Sequence, residues 1–133
     1  MTTKKAERPQ KATRTIATNR KAFFDYEILD RFEAGLVLTG TEIKSVRAGK
    51  IDLRDAYARV QNGELWLVNA HIALYDAGSI YNHDPKRPRK LLMHREEIDK
   101  FRSIIAERGV TLVALSIFIK GHVAKVSLGL ARG

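Results

Sequence analysis

The Asn62-Gly63 dipeptide constrains the fold of this chain more than any other sequence feature. It separates two extended stretches, residues 56–61 and 64–70, the second continuing towards Tyr75. A type I′ turn requires positive φ at both central positions, which Asn and Gly adopt readily. The pattern therefore predicts an antiparallel β-hairpin at the centre of the sequence.

Other strands and two helices are expected on either side of this hairpin, because short apolar runs alternate with turn residues. The expected elements are a strand over 26–32, a turn at Glu33-Ala34-Gly35, an extended run over 36–38, a helix over 42–48 capped by Thr41 and ended by Gly49, a long loop over 76–90, a helix over 95–108 ended by Gly109, and a hairpin of strands 110–119 and 122–130 around Lys120-Gly121.

These elements predict a mainly β fold. About six sequential antiparallel strands in 133 residues favour a small closed barrel, oligonucleotide-binding-like, with two or three flanking helices. A two-layer α+β sheet is the alternative. Residues 1–18 are basic and lack an apolar period, so we expect a disordered N-terminal arm followed by one barrel domain over 19–133.

The charge of the chain indicates a polyanionic partner. The formal net charge is +9, and most of the surplus lies in residues 1–22 and 82–95, whereas residues 23–81 are slightly acidic. Two unbalanced basic segments in regions of low predicted structure favour contact with nucleic acid over a merely solubilising role. Such contacts go mostly to phosphates and weaken with salt.

Several classes of protein are excluded or disfavoured. The chain has no cysteine, so it has neither disulfides nor thiolate metal sites. Its longest near-apolar run, 110–119, is shorter than the roughly 20 residues of a membrane span. The four histidines, His71, His83, His94 and His122, lack metal-motif spacing, and no phosphate-binding loop or catalytic triad is visible. We therefore expect no catalysis, no metal and no cofactor.

An ordered series of motifs runs through the chain from residue 19 to its end. The motifs are Asn19-Arg20-Lys21-Ala22, Asp25-Tyr26, Glu33-Ala34-Gly35, residues 40–49 (GTEIKSVRAG), Gly63-Glu64, Asn82-His83-Asp84-Pro85, Arg89-Lys90-Leu91-Leu92 and residues 129–133 (GLARG). In this order and at these separations they strongly resemble the SmpB family, the SsrA-binding proteins.

The resemblance implies a bacterial, cytoplasmic RNA-binding protein, which we expect to be a monomer. Members of the family bind the tRNA-like domain of transfer-messenger RNA (tmRNA) and take it to stalled ribosomes. There the nascent chain is tagged and the ribosome is released, a process called trans-translation. The family is not enzymatic and needs no metal.

Matched motif positions give the candidate RNA-binding residues. Glu33 is unusual among them, because phosphate repels a carboxylate; it should accept from a base or a 2′-hydroxyl, or orient a cation. Lys44 and Arg47 are added because they lie three apart on a predicted helix. The candidates implied by the resemblance are Asn19, Arg20, Lys21, Glu33, Arg89, Lys90, Leu92, His94 and Lys125.

Aromatic residues near the basic segments are candidates for stacking on RNA bases, although most are expected in the core. They are Phe23, Phe24, Tyr26, Tyr75 and Tyr81.

Two alternatives to the resemblance stay open. One is a general RNA- or single-stranded-DNA-binding module, or a ribosomal protein, of the same fold. The other is an RNase that uses His83 or His94. Family members also continue into a basic tail, whereas this sequence ends at Gly133. We expect RNA binding to survive without that tail. We expect the tagging activity to depend on it.

Overall fold

A computed structural model describes residues 13–75 and 82–133. Twelve elements follow one another along these residues. They are β1 (Thr13–Thr18), α1 (Arg20–Asp25), β2 (Glu27–Leu36), α2 (Gly40–Arg47), β3 (Ile51–Asp52), β4 (Tyr57–Gln61), β5 (Glu64–Val68), β6 (His71–Ile72), β7 (Arg89–Leu92), α3 (Arg95–Arg108), β8 (Thr111–Lys120) and β9 (Val123–Arg132).

Six strands close into an antiparallel barrel, which confirms the predicted mainly β fold. They pair in the order β8-β4-β5-β7-β2-β9, and the β8–β9 pairing closes the ring. β1 lies alongside the remainder of β8, and β3 and β6 form a separate two-stranded sheet. Three helices flank the barrel, and none in the described ranges is long and apolar enough to cross a bilayer.

The core fills the inside of the barrel with side chains from alternate positions of the strands. Leu65 and Leu67 of β5 and Val126 and Leu128 of β9 are fully buried there. Neighbouring residues on the same strands point outward, because successive side chains in a strand point to opposite faces. The barrel is thus a packed support, and its outer face is free to carry function.

Local turn and cap signals predict the structure well. Asn62 and Gly63 have φ of 54° and 76°, as a type I′ turn between β4 and β5 requires. The second of the two predicted helices is α3 in the structure. It has the predicted bounds, and Gly109 ends it with a left-handed φ of 65°. The closing hairpin of β8 and β9 is also confirmed.

The predicted turn at Glu33-Ala34-Gly35 is wrong, because β2 runs through it without interruption. Gly35 pairs with Leu92 of β7 on one side and with Lys125 of β9 on the other. A Cβ on Gly35 would lie 3.4 Å from the Cβ of Leu92, so glycine here permits close packing of a side chain over the strand.

The disorder predicted for residues 1–18 is wrong for residues 13–18, which form β1. This strand pairs with β8 from Thr13 opposite Lys120 to Thr18 opposite Ser116. β4 pairs with only the first part of the same edge of β8, at Leu112 and Val113. The partner strand lies at the far end of the sequence, so local composition could not reveal the pairing. Residues 1–12 lie outside the described residues.

The cap of α2 is Thr39 and not Thr41. The Thr39 hydroxyl accepts a hydrogen bond from the backbone N–H of Glu42 at 3.4 Å, and the Glu42 carboxylate accepts from the N–H of Thr39 at 2.9 Å. This reciprocal capping box begins the helix two residues earlier than expected. Gly49 follows the C-cap with φ of 78°, as predicted.

Two further boundaries differ from prediction. The strand expected to continue to Tyr75 ends at Val68, because Asn69 has a φ of 65° that breaks the extended chain. The long loop expected over 76–90 ends before Arg89, where β7 begins by pairing with β5. Within that loop, residues 76–81 lie outside the described residues.

Candidate nucleic-acid interface

The outer face of β9, β2 and β7 brings several predicted residues together. Lys125, Gly35 and Leu92 lie opposite one another on the three adjacent strands. Leu92 is 54% exposed and lies beside the gap left by the missing side chain of Gly35. An exposed apolar side chain and a cation are therefore held side by side on a rigid sheet.

Glu33 lies on this same face between two lysines. Its Oε2 is 3.1 Å from the Nζ of Lys125 and 4.0 Å from the Nζ of Lys120. All three side chains are partly exposed, so the cluster keeps a net positive charge that a polyanion can reach. The carboxylate orients Lys125, which is one of the two roles predicted for it.

Lys90 and His94 extend the face on either side of Leu92, two residues before it in β7 and two residues after it. Lys90 forms an ion pair with Glu64 of β5 at 2.8 Å. His94 is exposed directly before the first turn of α3. Both side chains remain accessible enough to take part in binding. We name the surface formed by Glu33, Lys90, Leu92, His94, Lys120 and Lys125 the β2–β9 face.

α1 adjoins this face, although the sequence patterns did not predict a helix here. Ala22 packs against Val113 and Leu115 of β8, which places α1 on the outside of the barrel. The guanidinium of Arg31 on β2 lies 5.3 Å from the ring centroid of Phe23 on α1. Since Arg31 is two residues from Glu33 on the same side of β2, α1 continues the β2–β9 face.

The two candidate cations that lie on α1 are both exposed. Arg20 begins the helix, and Lys21 forms an ion pair with Asp25 at 3.1 Å. The hydrogen bond and charge of Asp25 raise the pKa of Lys21 above its usual value. Lys21 therefore stays charged at neutral pH, and both exposed side chains can bind phosphate.

Asn19, one of the candidate RNA-binding residues, is buried. Its Nδ2 donates to the carbonyls of Leu53 and Ala114 at 2.8 and 2.9 Å, and its Oδ1 accepts from the N–H of Ala22 at 3.2 Å. The side chain caps α1 and fastens it to the barrel. Its contribution to a binding surface is thus to position Arg20 and Lys21.

Arg89 is also buried, and it belongs to an interior charge cluster. Its Nε donates to Glu42 at 2.8 Å, and its other nitrogens donate to the carbonyls of Ala70 and Asp84. Arg87 donates to both oxygens of Glu42 at 2.9 and 2.6 Å. The side chains of Glu42 and Arg89 are completely buried, so Arg89 does not share the exposed surface of the other candidates on β7. The RKLL motif gave Arg89, Lys90 and Leu92 as candidates, but its sequence does not show that Arg89 lies on the inward side of β7.

The electrostatics of this cluster favour the ionised pair. Burial alone would raise the pKa of Glu42, but hydrogen bonds from Arg87, the Thr39 backbone and Arg89 outweigh it and lower the pKa below the usual range. Burial lowers the pKa of Arg89, and Glu42 opposes that shift. Arginine nevertheless stays protonated, so the cluster is a salt bridge at neutral pH.

Lys44 and Arg47 lie on α2, the helix that contains Glu42, and not on the β2–β9 face. Both are exposed, and the ammonium of Lys44 lies 5.4 Å from the ring centroid of Tyr75. α2 packs against β6. The structure thus supports the prediction that the two cations are presented together, but it places them on a separate part of the surface.

The sequence patterns did not single out Lys120, which belongs to the β2–β9 face, or Arg31, which links that face to α1. Lys120 was read as a turn residue, although it ends β8 and lies beside Glu33. Arg31 would have been found from its alternation with Glu33 if the strand had been expected to run beyond residue 32. The first omission follows from ending the predicted strand at residue 119, and the second from the misplaced turn at residues 33–35.

The structure also bears on the RNase alternative. Nδ1 of His83 lies 3.0 Å from the Thr41 hydroxyl, and its Nε2 lies 2.9 Å from the carbonyl of Ile72. Both ring nitrogens are thus engaged within the fold. In the part of the chain that the structure describes, no three His, Asp or Glu residues are grouped to hold a metal ion.

The closed barrel, the charged outer face and the adjoining helix define a class: a small β-barrel protein with a surface suited to a polyanion. A family model described as SmpB protein matches residues 16–133. The chain therefore belongs to the SmpB family.

Individual relatives agree with this assignment. The SsrA-binding protein of Carboxydothermus hydrogenoformans is 56% identical over 118 residues, which cover 89% of this chain and 79% of the relative. The SsrA-binding protein of Bacillus cereus is 54% identical over 125 residues, 94% of this chain and 81% of the relative. A solved structure described as "tmRNA-SmpB: a journey to the center of the bacterial ribosome" matches with a TM-score of 0.74 and 50% identity, covering 88% of this chain and 82% of that one.

Proposed function

We propose that this protein binds the tRNA-like domain of tmRNA and takes it to stalled ribosomes for trans-translation. It acts in the cytoplasm, as a monomer and without a metal, cofactor or catalytic step. Membership of the SmpB family and the names of the relatives support the choice of RNA. The observation that carries the proposal is the Glu33–Lys125–Lys120 cluster beside the exposed Leu92.

The β2–β9 face suits a folded RNA better than a flexible single strand. Lys125, Lys120 and Lys90 are spaced across several strands of a rigid sheet, so they can neutralise phosphates at fixed positions. Leu92 offers an apolar contact for a sugar or base. Glu33 holds Lys125 in position and can accept a hydrogen bond from a 2′-hydroxyl or a base amino group.

The remaining predicted residues divide into two groups. Arg20 and Lys21 add charge on α1, next to the β2–β9 face, and Lys44 and Arg47 provide a second basic surface on α2. Asn19 and Arg89 contribute from the interior, by holding α1 and β7 in place. Direct RNA contact is thus proposed for the exposed residues only.

Titration against the isolated tRNA-like domain tests this function. We expect tighter binding at physiological salt than to an unstructured RNA of equal length. Lys125→Ala should weaken binding and reduce the slope of log affinity against log salt by about 1. Lys100→Ala, which removes one exposed charge from α3, is the matched control and should leave both quantities near wild type.

Two results would contradict the proposal. Equal affinity for the tRNA-like domain and for the unstructured RNA would indicate the general nucleic-acid-binding module instead. Equal effects of Lys125→Ala and Lys100→Ala would show that total charge, and not the β2–β9 face, determines binding.

A further inference from the structure

α1 carries two adjacent phenylalanines on the protein surface. Phe24 is 89% exposed, the most exposed large apolar side chain within residues 13–75 and 82–133, and Phe23 is 42% exposed. Single exposed apolar residues are ordinary, whereas two successive exposed rings on one short helix leave more apolar surface beside a charged face. This apolar surface stays in contact with water in the folded protein, so a partner that covers it gains free energy from its burial.

The helix that presents these rings is firmly held. Asn19 fastens it to the carbonyl of Leu53, after β3, at 2.8 Å and to that of Ala114 in β8 at 2.9 Å, and Ala22 packs into the apolar cluster beneath it. Gly129 permits the close packing of that cluster, because a Cβ there would lie 2.8 Å from Cδ1 of Leu115. Phe24 thus projects from a fixed support, which lowers the entropy lost when a partner covers it.

Cations lie around the two rings. The guanidinium of Arg31 lies 5.3 Å from the ring centroid of Phe23. Arg20 precedes Phe23 and Phe24 by three and four residues, so it shares their side of α1. An apolar ring between cations matches a nucleobase attached to its phosphates, since the ring stacks on the base while the cations neutralise the backbone. The same charges would disfavour a purely apolar peptide.

We propose that Phe24, supported by Phe23 and Arg31, stacks on an unpaired base of the RNA bound at the β2–β9 face. The inference rests on the proposed function and adds a requirement to it: the RNA must present one base outside its helices where it reaches α1. Every base has a flat aromatic face, so this contact recognises an unstacked base and not a particular sequence.

Replacement of Phe24 tests the stack. Phe24→Ala should weaken binding to the tRNA-like domain by about 5- to 150-fold, the range of stacking losses on alanine substitution. Its salt slope should stay at the wild-type value, because no phosphate contact is removed. Phe24→Trp should restore the affinity. Val123→Ala, which truncates another exposed apolar residue (46%) at the start of β9, should bind as wild type.

A spectroscopic signature separates stacking from a general apolar effect. Stacking of a base on the indole of Phe24→Trp should quench its emission beyond any change that the native Trp66 shows in the parent protein. Unchanged affinity in Phe24→Ala, or an unquenched indole in Phe24→Trp, would overturn the inference while leaving the proposed function intact. Failure of the unmodified protein to bind the tRNA-like domain would instead overturn the proposed function, and the stack with it.

Discussion

Glu42 and Glu33 each lie between two cations, but in very different surroundings. Glu42 is fully buried between Arg87 and Arg89, whereas Glu33 is 43% exposed between Lys125 and Lys120. The number of charges is the same in both clusters. Burial therefore decides what each cluster does: the interior one holds elements of the barrel together, and the exposed one stays available to a partner.

The choice of cation follows the same division. Arginine has a planar fork of donors that can satisfy a carboxylate and backbone carbonyls at once, as Arg89 does with Glu42 and Ala70. Lysine is a mobile and strongly hydrated point charge, suited to exchange a carboxylate for a phosphate. The interior cluster joins α2 to β7, so its loss affects the fold before it affects any surface.

The largest expected effect is on stability when the interior carboxylate is neutralised. Glu42→Gln leaves Arg89 buried without a counter-charge, which should lower the free energy of unfolding by about 3–5 kcal/mol. Urea denaturation monitored by circular dichroism measures this. Glu33→Gln is the matched control and should change the same quantity by less than about 1 kcal/mol, because its ion pairs are solvent-exposed. Similar losses in the two variants would remove the distinction between the clusters.

The next effect concerns the buried amide that fastens α1. Asn19→Ala leaves two buried carbonyls without their donor and α1 without its cap, so we expect a loss of about 2 kcal/mol. Asn19→Asp keeps the capping oxygen but places an acceptor against both carbonyls. Thermal unfolding should find it at least as unstable as Asn19→Ala. Wild-type stability in Asn19→Asp would show that capping alone matters.

A smaller and pH-dependent effect follows from the lowered pKa of Glu42. A carboxyl whose folded pKa is depressed stabilises the fold above its unfolded pKa, here close to the usual 4.5, and loses that contribution as pH falls through the folded value. The wild type should therefore lose more stability than Glu42→Gln between pH 5 and about pH 3. Parallel stability curves for the two proteins over this interval would contradict the assignment.

The sequence predicted the barrel because its hairpins and helix ends are signalled locally. Asn62, Gly63 and Gly109 have positive φ, and the apolar patterns on either side of them identify a hairpin turn and a helix end. Asn19 and Arg89 could not be placed in this way. The two carbonyls that bind Asn19 lie 34 and 95 residues away, and the partner of Arg89 lies 47 residues away. Burial of a polar residue depends on such distant contacts.

The same limit explains the error at residues 33–35. Glycine after a short apolar run usually marks a turn. Gly35 instead lies within β2, one residue before its end, and Leu92 of β7 packs over it. The family resemblance singled out Glu33 as a candidate, but only the paired strands show that it lies beside Lys125.

Binding by Glu33→Ala tests the division between the two clusters most directly. The variant is more positive than the wild type, so charge alone predicts tighter binding to any RNA. Our account predicts affinity for the tRNA-like domain about fivefold weaker, the equivalent of about 1 kcal/mol, with no loss for unstructured RNA of equal length. Glu107→Ala, which removes an exposed acid from α3, is the matched control and should show no specific loss. Tighter binding of Glu33→Ala to the tRNA-like domain would contradict the account, because Glu33 would then only repel RNA.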